Sequence, residues 1–159
     1  MVILKTILII ALLMVFIQDK KDREVYWFLF PIIALTSGIL LYNNLLPELF
    51  YITLIINICF VLILLAVVFF YSKFKLKTTM GSTFGLGDTL LFFALAFTFS
   101  SVSFLVLFVF GLLFSLLVHI IFKKNSKYKT VPLAGYLSLF FIIVYLSYWL
   151  GITPNIYTI

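Results

Sequence analysis

Residues 85–93 read GLGDTLLFF and lie in an apolar run that extends from about Met80 to Ser100. Asp88 is the only charged residue of this run. A carboxylate near the centre of a membrane helix costs roughly 2.5–3.5 kcal/mol, so acids at such positions serve function rather than packing. Gly85 and Gly87 allow another group to approach the backbone closely. We therefore predict that Asp88 is a functional acid, and aspartyl chemistry requires a second carboxylate beside it.

The composition of the chain is that of a membrane protein. Hydrophobic residues make up 65% of its 159 residues and charged residues only 10%, which excludes an ordinary soluble domain. The single cysteine, Cys59, lies inside an apolar run, so the sequence offers no disulfide framework and no paired-cysteine metal site. We attribute the net charge of +6 to basic residues in the loops, which set the orientation of the helices in the membrane. A lipid bilayer is thus an expected partner, whereas nucleic acid, metal and cofactor are not.

Six apolar runs follow one another, each close to the length of about 20 residues that spans a bilayer. Uniformly apolar runs of this length are typical of helices rather than barrel strands. We predict an all-α bundle of six transmembrane helices in one membrane-embedded domain, residues 1–159, with no separate soluble domain. No cleavage site of small residues precedes Gln18, so the first run is expected to remain as helix one. The runs are Met1–Ile17, Tyr26–Leu46, Leu49–Tyr71, Met80–Ser100, Val102–Phe122 and Val131–Leu150.

Basic residues orient this predicted bundle. Ten of the eleven lysines and arginines fall in the loops after helices one, three and five. If the chain crosses the membrane six times, these loops lie on the same side of the membrane. The positive-inside rule assigns that side to the cytoplasm. The opposite side carries Glu48 and an uncharged tail, so both termini are expected to face outward.

A second carboxylate is available at the cytoplasmic end of helix one. Asp19 lies there, and Asp88 is expected about two turns inside the cytoplasmic end of helix four. If helix one continues past Ile17, the two acids can meet in a wet cleft that faces the cytoplasm.

Three segments resemble the type IV prepilin peptidases. Residues 19–25, DKKDREV, resemble the D-x-x-x-R-x-(I/V) signature of that family, and residues 85–88 resemble its GxGD motif. Residues 131–137, VPLAGYL, resemble its I-P-F-x-P-F-L segment. The order of the segments and the two helices between the first two also match, so the resemblance covers essentially the whole chain.

This resemblance implies an intramembrane aspartyl endopeptidase in the cytoplasmic membrane. The enzyme would remove the leader of prepilins or pseudopilins on the cytoplasmic side, after a leader glycine. Asp19 and Asp88 carry over as the catalytic pair, with Gly85, Gly87, Arg23 and Pro132 as supporting motif residues and no metal. Pilus or secretion assembly proteins are further expected partners. Bifunctional family members carry an amino-terminal domain with paired cysteines, so peptidase activity without N-methyltransferase activity is expected here.

The sequence departs from the family pattern at three places. Leu90 stands where the family usually has lysine, and Tyr26-Trp27 replaces a common Pro-Asn pair. Gly135 replaces the second proline of the last segment. These departures bear on substrate range and on the tuning of the two acids, and both aspartates remain in place.

Three other functions stay open from the sequence. Presenilin-like proteases also use GLGD, but they place the first aspartate after a tyrosine and carry a Pro-Ala-Leu motif. Archaeal preflagellin peptidases use the same chemistry on another substrate. A transporter or a non-catalytic assembly protein would use Asp88 for ion coupling, although such proteins usually need several intramembrane polar residues.

Other polar and small residues are assigned structural roles. Asp22 and Glu24 are read as loop charges, and His119 as a packing or interfacial residue. Asparagines are expected at helix ends or between helices, and two glycines are expected at close helix contacts; these residues are Asn43, Asn44, Asn57, Gly38 and Gly111.

Overall fold

The computed structural model describes residues 1–76, 85–122, 131–153 and 155–157. Within these ranges the regular structure is entirely helical, as predicted. Six α-helices are present there, and a π-helical turn, Ser72–Leu76, follows the third. They are α1 Val2–Asp22, α2 Leu29–Tyr42, α3 Pro47–Tyr71, α4 Leu86–Leu95, α5 Ser101–Phe122 and α6 Leu133–Trp149.

Three of these helices are long and apolar enough to cross a membrane. They are α1, α5 and α3 together with part of its π-helical turn, at 21, 22 and 28 residues. The other three, α2, α4 and α6, are apolar but shorter, at 14, 10 and 17 residues. Large apolar side chains are exposed along all six helices, a surface that lipid rather than water accommodates. The chain is therefore a membrane protein.

Helix α4 lies at the centre of the bundle. It contacts α2, α3 and α6, and its Leu91, Phe92 and Leu95 side chains are at most 1% exposed. Helix α1 packs between α2 and α6, and its contact with α6 is the most extensive in the bundle. The helix that carries the GLGD motif thus packs one face against three neighbours, while α1 and α6 form a closely packed pair beside it.

Helix α4 is shorter than the run that contains it. Gly85 has an extended backbone, with ψ of 144°, so the helix begins at Leu86. The expectation that Asp88 lies two turns inside a helix was therefore wrong, because Asp88 belongs to the first turn. Residues 80–84, which the predicted fourth helix also included, lie outside the described part of the chain.

The end of α4 is fixed by an asparagine on another helix. After Leu95 the chain turns through residues 96–100 before α5 begins. The fully buried Asn57 of α3 donates from Nδ2 to the carbonyl oxygens of Ala96 and Phe99, at 3.0 and 3.1 Å. Buried backbone carbonyl groups need hydrogen-bond donors, and leaving them unpaired costs free energy. Asn57 therefore has the interhelical role expected of it, and it stabilises the interruption of the fourth run.

The chain after α6 folds back over this turn. Gly151, with φ of 74°, ends the helix in the left-handed conformation that glycine adopts without steric cost. Tyr157 is then 1% exposed and its ring lies 6.1 Å from that of Phe99. The carbonyl oxygen of Ile156 accepts a hydrogen bond from Ser100 Oγ at 3.4 Å. Ile156 and Tyr157 are therefore part of the core at the end where α4 stops.

Replacing Asn57 tests this account of the interruption. Asn57→Leu removes both donors and leaves two carbonyl groups unpaired in apolar surroundings, which costs about 1–3 kcal/mol. Each kcal/mol lowers the melting temperature of a chain of this size by about 2–4 °C. The melting temperatures of the variant and the wild type are measured in the same detergent. Asn44→Leu is the control, because the exposed Asn44 follows α2 and its side chain donates to the Leu40 carbonyl oxygen at the end of that helix rather than to another helix. Equal melting temperatures for Asn57→Leu and the wild type would contradict the assignment.

Candidate active site

The first turn of α6 has backbone donors that its own side chains do not cap. Pro132 is the N-cap residue, and its side chain makes no capping hydrogen bond. The first N–H groups of any helix lack partners within the helix, and the helix dipole places partial positive charge there. This helix end therefore attracts acceptors from elsewhere in the protein, negatively charged ones above all.

Asp88 supplies one of these acceptors. Its Oδ1 accepts a hydrogen bond from the Ala134 N–H at 2.8 Å. The carboxylate also accepts from the backbone N–H of Gly85, the N-cap of its own helix. Asp88 is the third residue of α4, so this second bond is half of a capping box. Asp88 thus joins the starts of α4 and α6.

Asp19 supplies the other acceptor. It lies in the last turn of α1, which continues to Asp22 and so satisfies the condition set by the sequence. Its Oδ2 accepts a hydrogen bond from the Gly135 N–H at 2.6 Å, and the residue is 8% exposed. Hydrogen bonds to ionised acceptors are short and roughly twice as strong as neutral ones.

The two carboxylates therefore occupy consecutive amides of one helix end. Ala134 holds Asp88 and Gly135 holds Asp19, although the acids are 69 positions apart in the sequence. Asp19 adds to the negative potential at Asp88, because neighbouring like charges repel. The amides and the dipole of α6 offset part of that repulsion.

Arg23 contributes the positive charge of the site. Its guanidinium interacts electrostatically with both Asp19 and Asp88. It follows α1 directly and has φ of 60°, a left-handed conformation that costs a residue with a Cβ about 1–2 kcal/mol. The following turn is closed by the Tyr26 N–H, which donates to Gln18 Oε1 at 3.0 Å. The chain thereby reverses next to Asp19 and keeps Arg23 beside the acids.

A cavity of about 360 Å³ opens onto this group. Half-buried Asp88 reaches it from α4 and buried Asp19 from α1. An ionised carboxylate has about four lone-pair sites, so each acid retains capacity for a proton or water after binding its amides. The residues that line the cavity are Asp19, Arg23, Glu24, Val25, Gly85, Leu86, Gly87 and Asp88.

Most residues singled out from the sequence lie at this cavity. Arg23, Gly85 and Gly87 line it beside the two acids, and so does Glu24, which the sequence reading left as a loop charge. Pro132 is buried one residue before α6 and acts as its N-cap. Leu90 is 40% exposed and does not line the cavity.

Two other sequence assignments concern residues away from the acids. His119 is 9% exposed on α5 and is not a cavity residue. Tyr26 and Trp27 are exposed on the turn after α1. Within the described ranges, no group of three or more His, Cys, Asp or Glu residues is arranged to hold a metal ion.

The amides of Ala134 and Gly135 were missed by the sequence reading. Backbone donors leave no signature in side-chain chemistry, so neither residue pointed to the acids. One signal was present at Gly135, where the resembled segment has a proline. Proline has no N–H, and this chain has one at that position.

No protein-family model, curated protein or solved structure matches this chain.

The two motif glycines are predicted to differ in their response to substitution. A Cβ on Gly85 would lie 3.1 Å from Asp88 Oδ2, whereas one on Gly87 would lie 3.8 Å from Phe30 Cζ, an ordinary contact. Gly87 is inside the helix, so Gly87→Ala gains roughly 0.5–1 kcal/mol of stability. Gly85→Ala crowds the acid and replaces a favourable N-cap residue, so it lowers stability. Thermal unfolding of both variants in the same detergent measures the difference; a Gly85→Ala protein as stable as Gly87→Ala would contradict the site geometry.

Proposed function

We propose that this protein is an intramembrane aspartyl endopeptidase of the prepilin peptidase kind. It would remove the leader peptide of a prepilin-like substrate at the cytoplasmic face of the membrane. The observation that carries the proposal is the meeting of Asp19 and Asp88 on consecutive amides at one cavity. The three sequence segments that resemble the family add independent support, since two of them supply the acids and the third supplies the amides.

The chemistry of such a pair follows from the proximity of two acids. Two neighbouring carboxylates do not both ionise cheaply, so they share one proton and titrate as a pair. The ionised acid takes a proton from the attacking water, while the protonated acid donates a hydrogen bond to the scissile carbonyl oxygen. The water adds to the carbonyl carbon, and the leaving nitrogen receives a proton as the C–N bond breaks. These steps use only the carboxylates, water and the peptide.

The surroundings of the acids suit this chemistry. The α6 amides hold one oxygen of each carboxylate in place before substrate arrives, which reduces the cost of orientation during reaction. Arg23 offsets the negative charge of the pair. The cavity would admit water and an extended peptide. Gly85 and Gly87 have no side chains, so the peptide could approach the backbone there.

The direct test is cleavage of a prepilin by the purified protein in proteoliposomes. Asp19→Asn and Asp88→Asn are each expected to slow leader removal by at least about 10²-fold, the usual contribution of a catalytic acid or base. Gel mobility and the mass of the product amino terminus measure the rate. Asp22→Asn is the matched control, and it is expected to retain the wild-type rate. Asp22 is an exposed acid three residues from Asp19 and does not line the cavity.

Two outcomes would count against the proposal. Wild-type rates from Asp19→Asn or Asp88→Asn would remove that acid from the mechanism. Failure of the wild type to cut any prepilin, with Asp88 still needed for a proton flux across the liposome membrane, would instead support the ion-coupling interpretation.

The proposed orientation has its own prediction. The cavity lies at the same end of the bundle as Lys20 and Lys21, which are in the last turn of α1. Glu48 lies in the first turn of α3, and the π-helical turn follows the last turn of that helix. In a Cys59→Ser background, a cysteine introduced as Lys21→Cys is expected to react with an impermeant maleimide only from the cytoplasmic side. The control, Glu48→Cys, is expected to react only from the outside. Reversed labelling would place the site on the opposite face.

A further inference from the structure

At Gly135, α6 is in close contact with α1. Its N–H donates to Asp19 Oδ2 at 2.6 Å. A Cβ placed on Gly135 would lie 3.1 Å from that same oxygen, 3.3 Å from Asp19 Cβ and 3.3 Å from the Phe16 carbonyl oxygen. The Phe16 oxygen is a backbone atom and Asp19 Cβ is attached directly to the backbone, so neither can move unless α1 moves. A methyl group at this position therefore displaces α1 or turns the carboxylate away from its donor.

The backbone of Gly135 does not itself require glycine. It has no positive φ, since Gly151 is the only glycine of the described ranges that does. In addition, a glycine inside a helix lowers stability by roughly 0.5–1 kcal/mol relative to alanine. The one property that distinguishes glycine here is the space it leaves for the Asp19 carboxylate. This space and the N–H act together on one acid.

We propose that Gly135 is a positioning residue for Asp19. Its missing side chain lets α1 approach α6, and its N–H then fixes one carboxylate oxygen next to the amide that holds Asp88. The spacing of the two acids is thereby set by adjacent peptide groups of a single helix rather than by flexible side chains. The role in catalysis depends on the proposed function, whereas the role in holding Asp19 does not.

This arrangement differs from the segment that the sequence resembles. A proline at position 135 has no N–H and cannot hold Asp19 in this way. Gly135→Pro, which restores the resembled residue, is therefore expected to impair the site rather than improve it. Proline also restricts the residue before it, so Gly135→Ala is the primary variant and Gly135→Pro the second.

The control is a second glycine at a helix contact of α6. Gly111 of α5 packs against α6, where an added Cβ would lie 2.5 Å from Leu137 Cδ1 and 3.1 Å from Phe140 Cδ1. Gly111→Ala therefore also crowds α6, but at the ends of side chains that do not line the cavity. The two substitutions separate an effect on Asp19 from a general effect on packing.

The first measurement is the steady-state kinetics of prepilin cleavage by each variant in proteoliposomes. Gly135→Ala is expected to lower kcat at least about tenfold with KM nearly unchanged, since displacement of a reacting group by about 1 Å costs up to 10²-fold. Gly111→Ala is expected to keep the wild-type kcat while its melting temperature falls. A wild-type kcat for both Gly135 variants, or an equal loss of kcat in Gly111→Ala, would overturn the proposal.

The second measurement requires no substrate. In a double-mutant cycle, the melting temperature is compared for Gly135→Ala with and without Asp19→Ala, and for Gly111→Ala in the same two backgrounds. Gly135→Ala is expected to lower the melting temperature by roughly 2–4 °C in the wild type. The loss is expected to be smaller in Asp19→Ala, where the contact with Oδ2 and the hydrogen bond are absent while the contacts with Cβ and the Phe16 carbonyl oxygen remain. Gly111→Ala is expected to have the same effect in both backgrounds. Additivity for Gly135 and Asp19 would refute the positioning role, whereas absence of cleavage with this coupling intact would refute only the peptidase function.

Discussion

The arrangement of this protein depends on the way the first turn of α6 is capped. Helices α1 and α4 each bring an aspartate to it, and the N–H groups of Gly135 and Ala134 each bind one carboxylate. Three helices from distant parts of the sequence thus meet at two hydrogen bonds. Burying the acids costs free energy, and the bonds, the helix dipole and Arg23 offset part of that cost. What remains is a pair of acids held close together at a cavity, the condition that aspartyl chemistry requires.

A second constraint operates at the far end of α4. Where the helix stops at Leu95, the buried carbonyl groups of Ala96 and Phe99 need hydrogen-bond donors, and the Asn57 side chain supplies them. The tail packs against the same turn through Ile156 and Tyr157. Helix α4 is therefore fixed at both ends by residues far away in the sequence. The acid in its first turn has a well-defined place as a consequence.

The sequence predicted the helical class and the pairing of Asp19 with Asp88 as candidate residues, because run length and the cost of intramembrane charge are properties of the sequence itself. It did not predict that α4 begins at Leu86, since that depends on Asp88 reaching back to the N–H of Gly85. It also did not predict the end of that helix, which depends on Asn57 about 40 residues earlier. The sequence also did not predict the hydrogen bonds from the Ala134 and Gly135 amides. Nearly every residue has a backbone donor, and only the packing of the helices determines which acceptor it binds.

The most direct test of this account is whether positions 19 and 88 lie side by side in the membrane. Cysteines introduced as Asp19→Cys and Asp88→Cys in a Cys59→Ser background are treated with dibromobimane, which becomes fluorescent when it bridges two nearby thiols. The account predicts bridging of this pair and none for Glu48→Cys with Asp88→Cys, whose residues begin α3 and α4 at opposite ends of the bundle. Absence of bridging at 19 and 88, while each thiol still reacts with a monofunctional maleimide, would contradict the account.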